Sequence, residues 1–197
     1  FCDGEDTNVI AVTLTPARRK KVSRTLDRRG FISQTSCGIC GKELVEELYQ
    51  IIKPVPDDPL LDSSKACACL ENLTAQQSLR RQTKASHAAV LYNAHYELLS
   101  VAEDVGRHNA LDKAIGKALL EKKLESAALA TLSSRISYEL VQKAARARIP
   151  VIVALSRPTA LAVDLATQLN MTLATLVDDE GLYVFCGAHR LNLKESN

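Results

Sequence analysis

Short continuous apolar runs alternate with helical spacing through the second half of the chain. Residues 127–132, 150–155 and 171–177 read as strands buried on both faces. Between them, Ile136 to Arg146 and Ala160 to Leu169 predict helices. Arg107 to Leu120 predicts another, with Leu111, Ala114, Ile115, Ala118 and Leu119 on one face. Upstream, His87 to Tyr92 and Leu98 to Glu103 predict two strands joined by a turn near 93–97. Leu182 to Phe185 predicts a last strand at an edge. Strands alternating with helices of this length predict an α/β fold of three layers, α/β/α, with a mostly parallel sheet and helices on both faces.

The first third is less regular. Residues 8–15 alternate in the β-branched manner of a strand closed by Pro16, and 42–52 carry Leu44, Val45, Leu48, Ile51 and Ile52 at helical spacing. Pro54-Val-Pro-Asp-Asp-Pro59 reads as a linker, and 63–81 as a further helix. The expected division is an N-terminal part, 1–62, and a ligand-binding domain, 63–197. The chain opens on Phe1-Cys2-Asp3-Gly4 and is expected to begin inside a longer protein.

Composition narrows the function classes. With 197 residues, 46% of them hydrophobic, the chain can close a core. A formal charge of +2 and 4% aromatics argue against a nucleic-acid binder. No apolar run reaches the roughly 18 residues of a membrane helix, so the expected location is the cytoplasm. Six cysteines outside any disulfide framework fit chemical use in a reducing compartment.

Two thiols stand out, in Ser36-Cys37-Gly38-Ile39-Cys40-Gly41-Lys42. Cys-x-x-Cys serves redox, zinc and sulfur-carrying chemistry alike. Lys42 and a following helix N-terminus favour thiolate, and the glycines allow movement. A basic run from Arg18 to Arg29 precedes the pair, either a solvated face, a further source of thiolate stabilisation or a dock for an acidic partner.

Three strand-to-helix junctions carry the second signal. They are Glu103-Asp104-Val105-Gly106-Arg107-His108-Asn109, Ser133-Ser134-Arg135 and Ser156-Arg157-Pro158-Thr159. Each pairs small or hydroxylic donors with an arginine near a helix start, which is how a phosphate is received. Strand carboxyl ends hold ligands in such sheets, so together they predict a nucleotide or pyrophosphate pocket. Helix caps with surface arginines are the alternative.

Residues 36–43, 103–113, 134–144 and 158–164 resemble the formate dehydrogenase accessory sulfurtransferase family, FdhD. The resemblance spans nearly the whole chain. It implies a cytidine-deaminase-like fold and a sulfur carrier that moves persulfide sulfur from a cysteine desulfurase to the bis-molybdopterin guanine dinucleotide cofactor of formate dehydrogenase. Cys37 would carry the persulfide with Cys40 as partner thiol. The cofactor is then bound substrate, with no intrinsic metal. Its guanine nucleotide moiety would meet Asp104, Gly106, Arg107, His108, Asn109, Ser134, Arg135, Ser156 and Thr159, with Leu176, Val177, Asp178, Asp179, Glu180 and Gly181 in a further loop. A homodimer is implied as well, and an N-terminal β-rich region of the family is absent from this sequence.

The sequence departs from the family at three places. Lys84 and Ala85 stand where the family has glycine, Cys67 and Cys69 are additional, and the 176–181 loop is acidic where the family is basic. Acidic residues there would accept from guanine N1 and N2 but repel phosphates. A zinc deaminase needs His-x-Glu with a later Pro-Cys-x-x-Cys, and His108 is followed by Asn109-Ala110. A structural zinc site from Cys37, Cys40, Cys67 and Cys69 suffers from the poor Cys-x-Cys half. A non-catalytic cofactor-binding chaperone that keeps a thiol pair remains open.

Overall fold

In the computed structural model the described residues are 13–20, 52–177 and 181–192. The chain divides into two compact units, 1–40 and 41–197. Of the first, residues 16–20 form a helical turn on which Thr15 accepts from Arg19 N at 2.8 Å. The strand expected at 8–15 falls largely outside the described residues, and Thr13 to Thr15 are not in a strand. The Cys37–Cys40 loop and all but the end of the helix expected at 42–52 also fall outside them.

The larger unit is built on a six-stranded sheet: β2 (His87–Asn93), β3 (Leu98–Asp104), β4 (Ala127–Arg135), β5 (Val151–Ser156), β6 (Thr172–Val177) and β7 (Gly181–Cys186), in the order β3-β2-β4-β5-β6-β7. A two-stranded parallel pair joins β1 (Leu61–Asp62) to β8 (Leu191–Asn192). Five helices are described here: α1 (Ser63–Glu71), α2 (Ser78–Thr83), α3 (Arg107–Leu120), α4 (Tyr138–Arg146) and α5 (Ala160–Gln168).

The α/β class is as expected, but the sheet is mixed rather than mostly parallel. Only β4-β5 and β5-β6 pair in parallel, while β2-β3, β2-β4 and β6-β7 are antiparallel. Connection length decides this, because a parallel crossover needs a dozen or more residues. β2 and β3 are joined by a turn in which Asn93 Oδ1 accepts from His95 N and Glu97 N, each at 2.9 Å. Three residues join β6 to β7. Since β3 and β4 both run against β2, the carboxyl ends of β3, β4, β5 and β6 still lie along one edge of the sheet.

Helices cover both faces. On one, Leu61, Ala66, Cys69, Leu70 and Leu73 pack against Ala88, Val90, Tyr92, Leu129, Val151, Val153 and Ala174. Strand alternation turns Ala89, Leu91, Ala130, Leu132, Ile152, Ala154 and Leu173 to the opposite face, all of them buried. α3, α4 and α5 bury Ala110, Leu111, Ala114, Leu140, Val141, Ala144, Leu165 and Ala166.

Two expectations change in detail. The helix expected over 63–81 is broken into α1, a 3-10 segment at Asn72–Gln76 and α2, because exposed Thr74, Ala75 and Gln76 interrupt the apolar stripe after Leu73. The division also falls ahead of residue 62. Val55 N donates to Leu169 O at 2.9 Å, Arg148 Nη1 to Pro54 O at 2.9 Å and Asn170 Nδ2 to Val55 O at 3.0 Å, so 52–62 packs on the larger unit. Among the described residues no helix is long and apolar enough to cross a membrane.

Candidate functional site

The end of β3 builds the first part of the edge. Asp104 Oδ1 accepts from Gly106 N at 2.9 Å and Asn109 Nδ2 at 3.2 Å, and its other oxygen pairs with Lys113. The Lys113 ammonium and these donors hold the Asp104 carboxyl below its ordinary value. Asp104 and Asn109 therefore brace the turn into α3. Gly106 lies tight inside it, since a Cβ there would meet Asn109 Nδ2 at 3.2 Å.

Arg107 follows at the first position of α3. Its Nε is buried without a hydrogen-bond partner, and so is Nδ1 of His87, the residue opposite Asp104 in the β2-β3 register. Burial, then the cations Arg80 and Arg107, push the His87 imidazole below its ordinary value. A buried polar atom without a partner costs about 1–3 kcal/mol, so two of them at the carboxyl-end edge of the sheet mark a position where a ligand atom would relieve that cost. The residues present fit an anionic group here. Sequence spacing alone shows His87 and His95 only as residues flanking a strand. The signal it missed is position: β2 begins at the carboxyl-end edge, so His87 stands beside Arg107 while exposed His95 sits at the other end.

His108 joins the first junction to the second. Its Nε2 is 3.1 Å from Ser137 Oγ and 3.6 Å from Glu139 Oε2. Burial alone would raise Glu139, but its hydrogen bond with Ser137 leads the effects that bring it below the ordinary value. Burial, then Arg107, depresses His108. With a carboxylate and a hydroxyl at Nε2, the neutral ring carries its proton there and keeps a lone pair on Nδ1. Ser137 and Glu139 were not singled out from the sequence, because only the fold sets the start of α4 against that of α3.

The second junction needs correction. Ser133-Ser134-Arg135 is the end of β4 and not its turn into a helix. Ser133 Oγ accepts from Ala88 N at 2.8 Å and Arg135 pairs with Ser156, which keep this stretch in the sheet across a register shift. The turn is Ile136-Ser137. Ser134 is buried, with Oγ donating to Arg135 O at 3.1 Å, whereas Arg135 is exposed at the edge. In the third junction Ser156 is exposed, and Thr159 caps α5 by accepting from Ala162 N at 3.2 Å. Thr159 N donates to Ile136 O at 3.0 Å, so all three junctions touch in sequence.

The loop after β6 joins two antiparallel strands. Val177 pairs with Gly181, and Leu176 packs against the cluster on the α1 face. Asp178, Asp179 and Glu180 fall outside the described residues, as do Cys37 and Cys40. The two additional cysteines do not share a site: Cys69 lies in the core under the sheet, and Cys67 Sγ is 3.6 Å from Glu71 Oε1. Burial raises both thiols. Among the described residues no three His, Cys, Asp or Glu side chains are grouped to hold a metal.

The model of the FdhD/NarQ family matches residues 3–192. The chain belongs to the FdhD/NarQ family. A protein named sulfur carrier protein FdhD from Bordetella bronchiseptica is 37% identical over 190 residues, covering 96% of this chain and 67% of the relative. One of the same name from Nocardia farcinica is 39% identical over 200 residues, covering 97% and 70%. A crystal structure of a protein assigned as a formate dehydrogenase accessory protein from Desulfotalea psychrophila superposes with a TM-score of 0.66 at 29% identity, over 74% of this chain and 62% of that one. The chain thus spans about two thirds of the length of these FdhD/NarQ relatives.

Proposed function

We propose that this chain is a sulfur carrier that receives persulfide sulfur from a cysteine desulfurase and delivers it to the bis-molybdopterin guanine dinucleotide cofactor destined for formate dehydrogenase. The observation that carries the reading is the convergence of three junctions on one sheet edge, with Arg107 Nε and His87 Nδ1 buried there and unpartnered. The names of the relatives support the sulfur chemistry.

In this reading Cys37, as thiolate, attacks the terminal sulfur of the desulfurase persulfide. A new S–S bond forms on Cys37 and the desulfurase cysteine leaves as thiolate, with no net oxidation. Cys40 thiolate then attacks Cys37 Sγ, and the terminal sulfur leaves as hydrosulfide. The dithiol is oxidised to a disulfide by two electrons and is reset by an external dithiol.

The guanine nucleotide end of the substrate sits at the sheet edge. Arg107 and His87 face its pyrophosphate, Arg135 and Ser156 line the exposed rim, and the neutral His108 ring is fixed by Ser137 and Glu139. The carboxylates of Asp178 and Asp179 suit guanine N1 and N2. The protein works in the cytoplasm, and as a homodimer.

Intact mass spectrometry after incubation with a desulfurase and cysteine tests the reading. The chain should gain one sulfur atom, mapped by digestion to Cys37 and absent from Cys37→Ala, while Cys37→Ala still binds GDP. Arg107→Ala should lose about 1–3 kcal/mol of GDP affinity. Full ability of Cys37→Ala to activate formate dehydrogenase would leave a cofactor-binding chaperone instead, and unchanged GDP binding by Arg107→Ala would remove the pocket.

A further inference from the structure

The carboxylate of Glu103 receives four donors. Oε1 accepts from Leu79 N at 2.7 Å and Ser78 Oγ at 3.4 Å, and Oε2 accepts from Arg80 N at 2.9 Å and Ser86 Oγ at 2.7 Å. Two of these are first-turn amides of α2, whose own N-cap residue, Gln77, offers no side-chain cap. The fourth is a buried hydroxyl just ahead of β2. Burial alone would raise the Glu103 carboxyl, and the donors outweigh it and bring it below the ordinary value.

This anchorage matters because α2 buries no residue of its own. No apolar stripe ties it to the sheet, so polar contacts must place it. Once placed, α2 sends Arg80 Nη1 to Ser86 O at 2.8 Å, immediately before His87. The charges of Arg80 and Arg107 both act on that imidazole. Glu103 and Asp104 are successive strand residues and point to opposite faces. The end of β3 therefore braces α2 on one side and the turn into α3 on the other.

We propose that Glu103 is a positioning residue for the anion-binding end of the pocket, holding α2 and the start of β2 so that Arg80 joins Arg107 and His87 in receiving phosphate. This rests on the reading of the sheet edge as a guanine-nucleotide site. Arg80 is exposed, and among the described residues its guanidinium is held at the edge by the Ser86 carbonyl.

Calorimetric titration of GDP and of guanosine into the full chain tests it, using wild type, Glu103→Gln, Arg80→Gln and the double variant. Each single variant should lose about fivefold to tenfold in GDP affinity, as for one charge-assisted hydrogen bond, with guanosine affinity unchanged. The double variant should be no weaker than either single one, since Glu103 acts through Arg80. Equal losses for GDP and guanosine in Glu103→Gln would mark a merely structural role and overturn the proposal. So would an undiminished GDP preference in Arg80→Gln, which tests the point even if Glu103→Gln fails to fold. If wild type binds neither ligand, the nucleotide reading fails. If wild type prefers GDP and the variants keep that preference, only the role of Glu103 and Arg80 fails.

Discussion

His108 Nε2 stands 3.1 Å from Ser137 Oγ, and this contact ties the first turn of α3 to the start of α4 across the end of β4. The two residues are 29 positions apart in the chain. They meet because β3 and β4 end on the same sheet edge, so the helices that follow begin side by side. A hydroxyl is shared there between an imidazole and the Glu139 carboxylate.

The histidines of this edge set a pH dependence. His87 and His108 are both held below the ordinary value, burial being the leading cause for each. In the unfolded chain they take up protons as pH falls through about 6.5, whereas the folded protein does so only lower. Their contribution to stability is therefore present above that pH and lost as pH falls through the depressed folded values. The thermal midpoint should drop between pH 7 and pH 5, and His87→Gln with His108→Gln should flatten that drop. An equally steep decline in the double variant would contradict the assignment.

Asp104 accepts from Gly106 N and Asn109 Nδ2 and pairs with Lys113. Asp104→Ala should cost about 1–2 kcal/mol in urea unfolding, the range for losing a helix-start acceptor. Lys113→Met should cost less than about 1 kcal/mol, because the lysine side chain is 58% exposed.

Gly187 lies at φ 68°, and a Cβ there would stand 2.4 Å from Met171 O and 2.7 Å from Thr172 Oγ1. Thr172 Oγ1 also donates to Gly187 O at 2.6 Å, so the neighbours cannot withdraw freely. Gly187→Ala should destabilise by about 2–4 kcal/mol, read as a lower urea midpoint.

Lys84 closes α2 at φ 59°, in the left-handed region, with its N–H donated to Arg80 O at 2.8 Å. Glycine at this position would remove the Cβ penalty of that conformation. Lys84→Gly should raise stability by about 0.5–1 kcal/mol, and Lys84→Val should lower it, both read from thermal unfolding.

The elements themselves were legible in the sequence wherever a single period dominated. Arg107 to Leu120 was bounded by periodicity alone and is found with those ends, and the strands from 87 to 177 moved by one to three residues. Where side-chain pattern was weak the reading failed: 63–81 looked helical throughout, yet exposed Thr74 to Gln76 break it. Strand direction was misjudged because composition does not report it. Buried strands look alike whether parallel or antiparallel, and the short connections at 93–97 and 178–180 decide.

Local sequence alone determined most of the strands and helices from residue 87 onward, and the small, hydroxylic and cationic groups of the first and third junctions, because those properties follow from spacing along the chain. Tertiary structure alone decided that His87, Arg107, His108 and Ser137 share one edge and that Glu103 holds α2. Such groups are 20 or more positions apart in several pairings, and only strand order and direction bring them within hydrogen-bond reach.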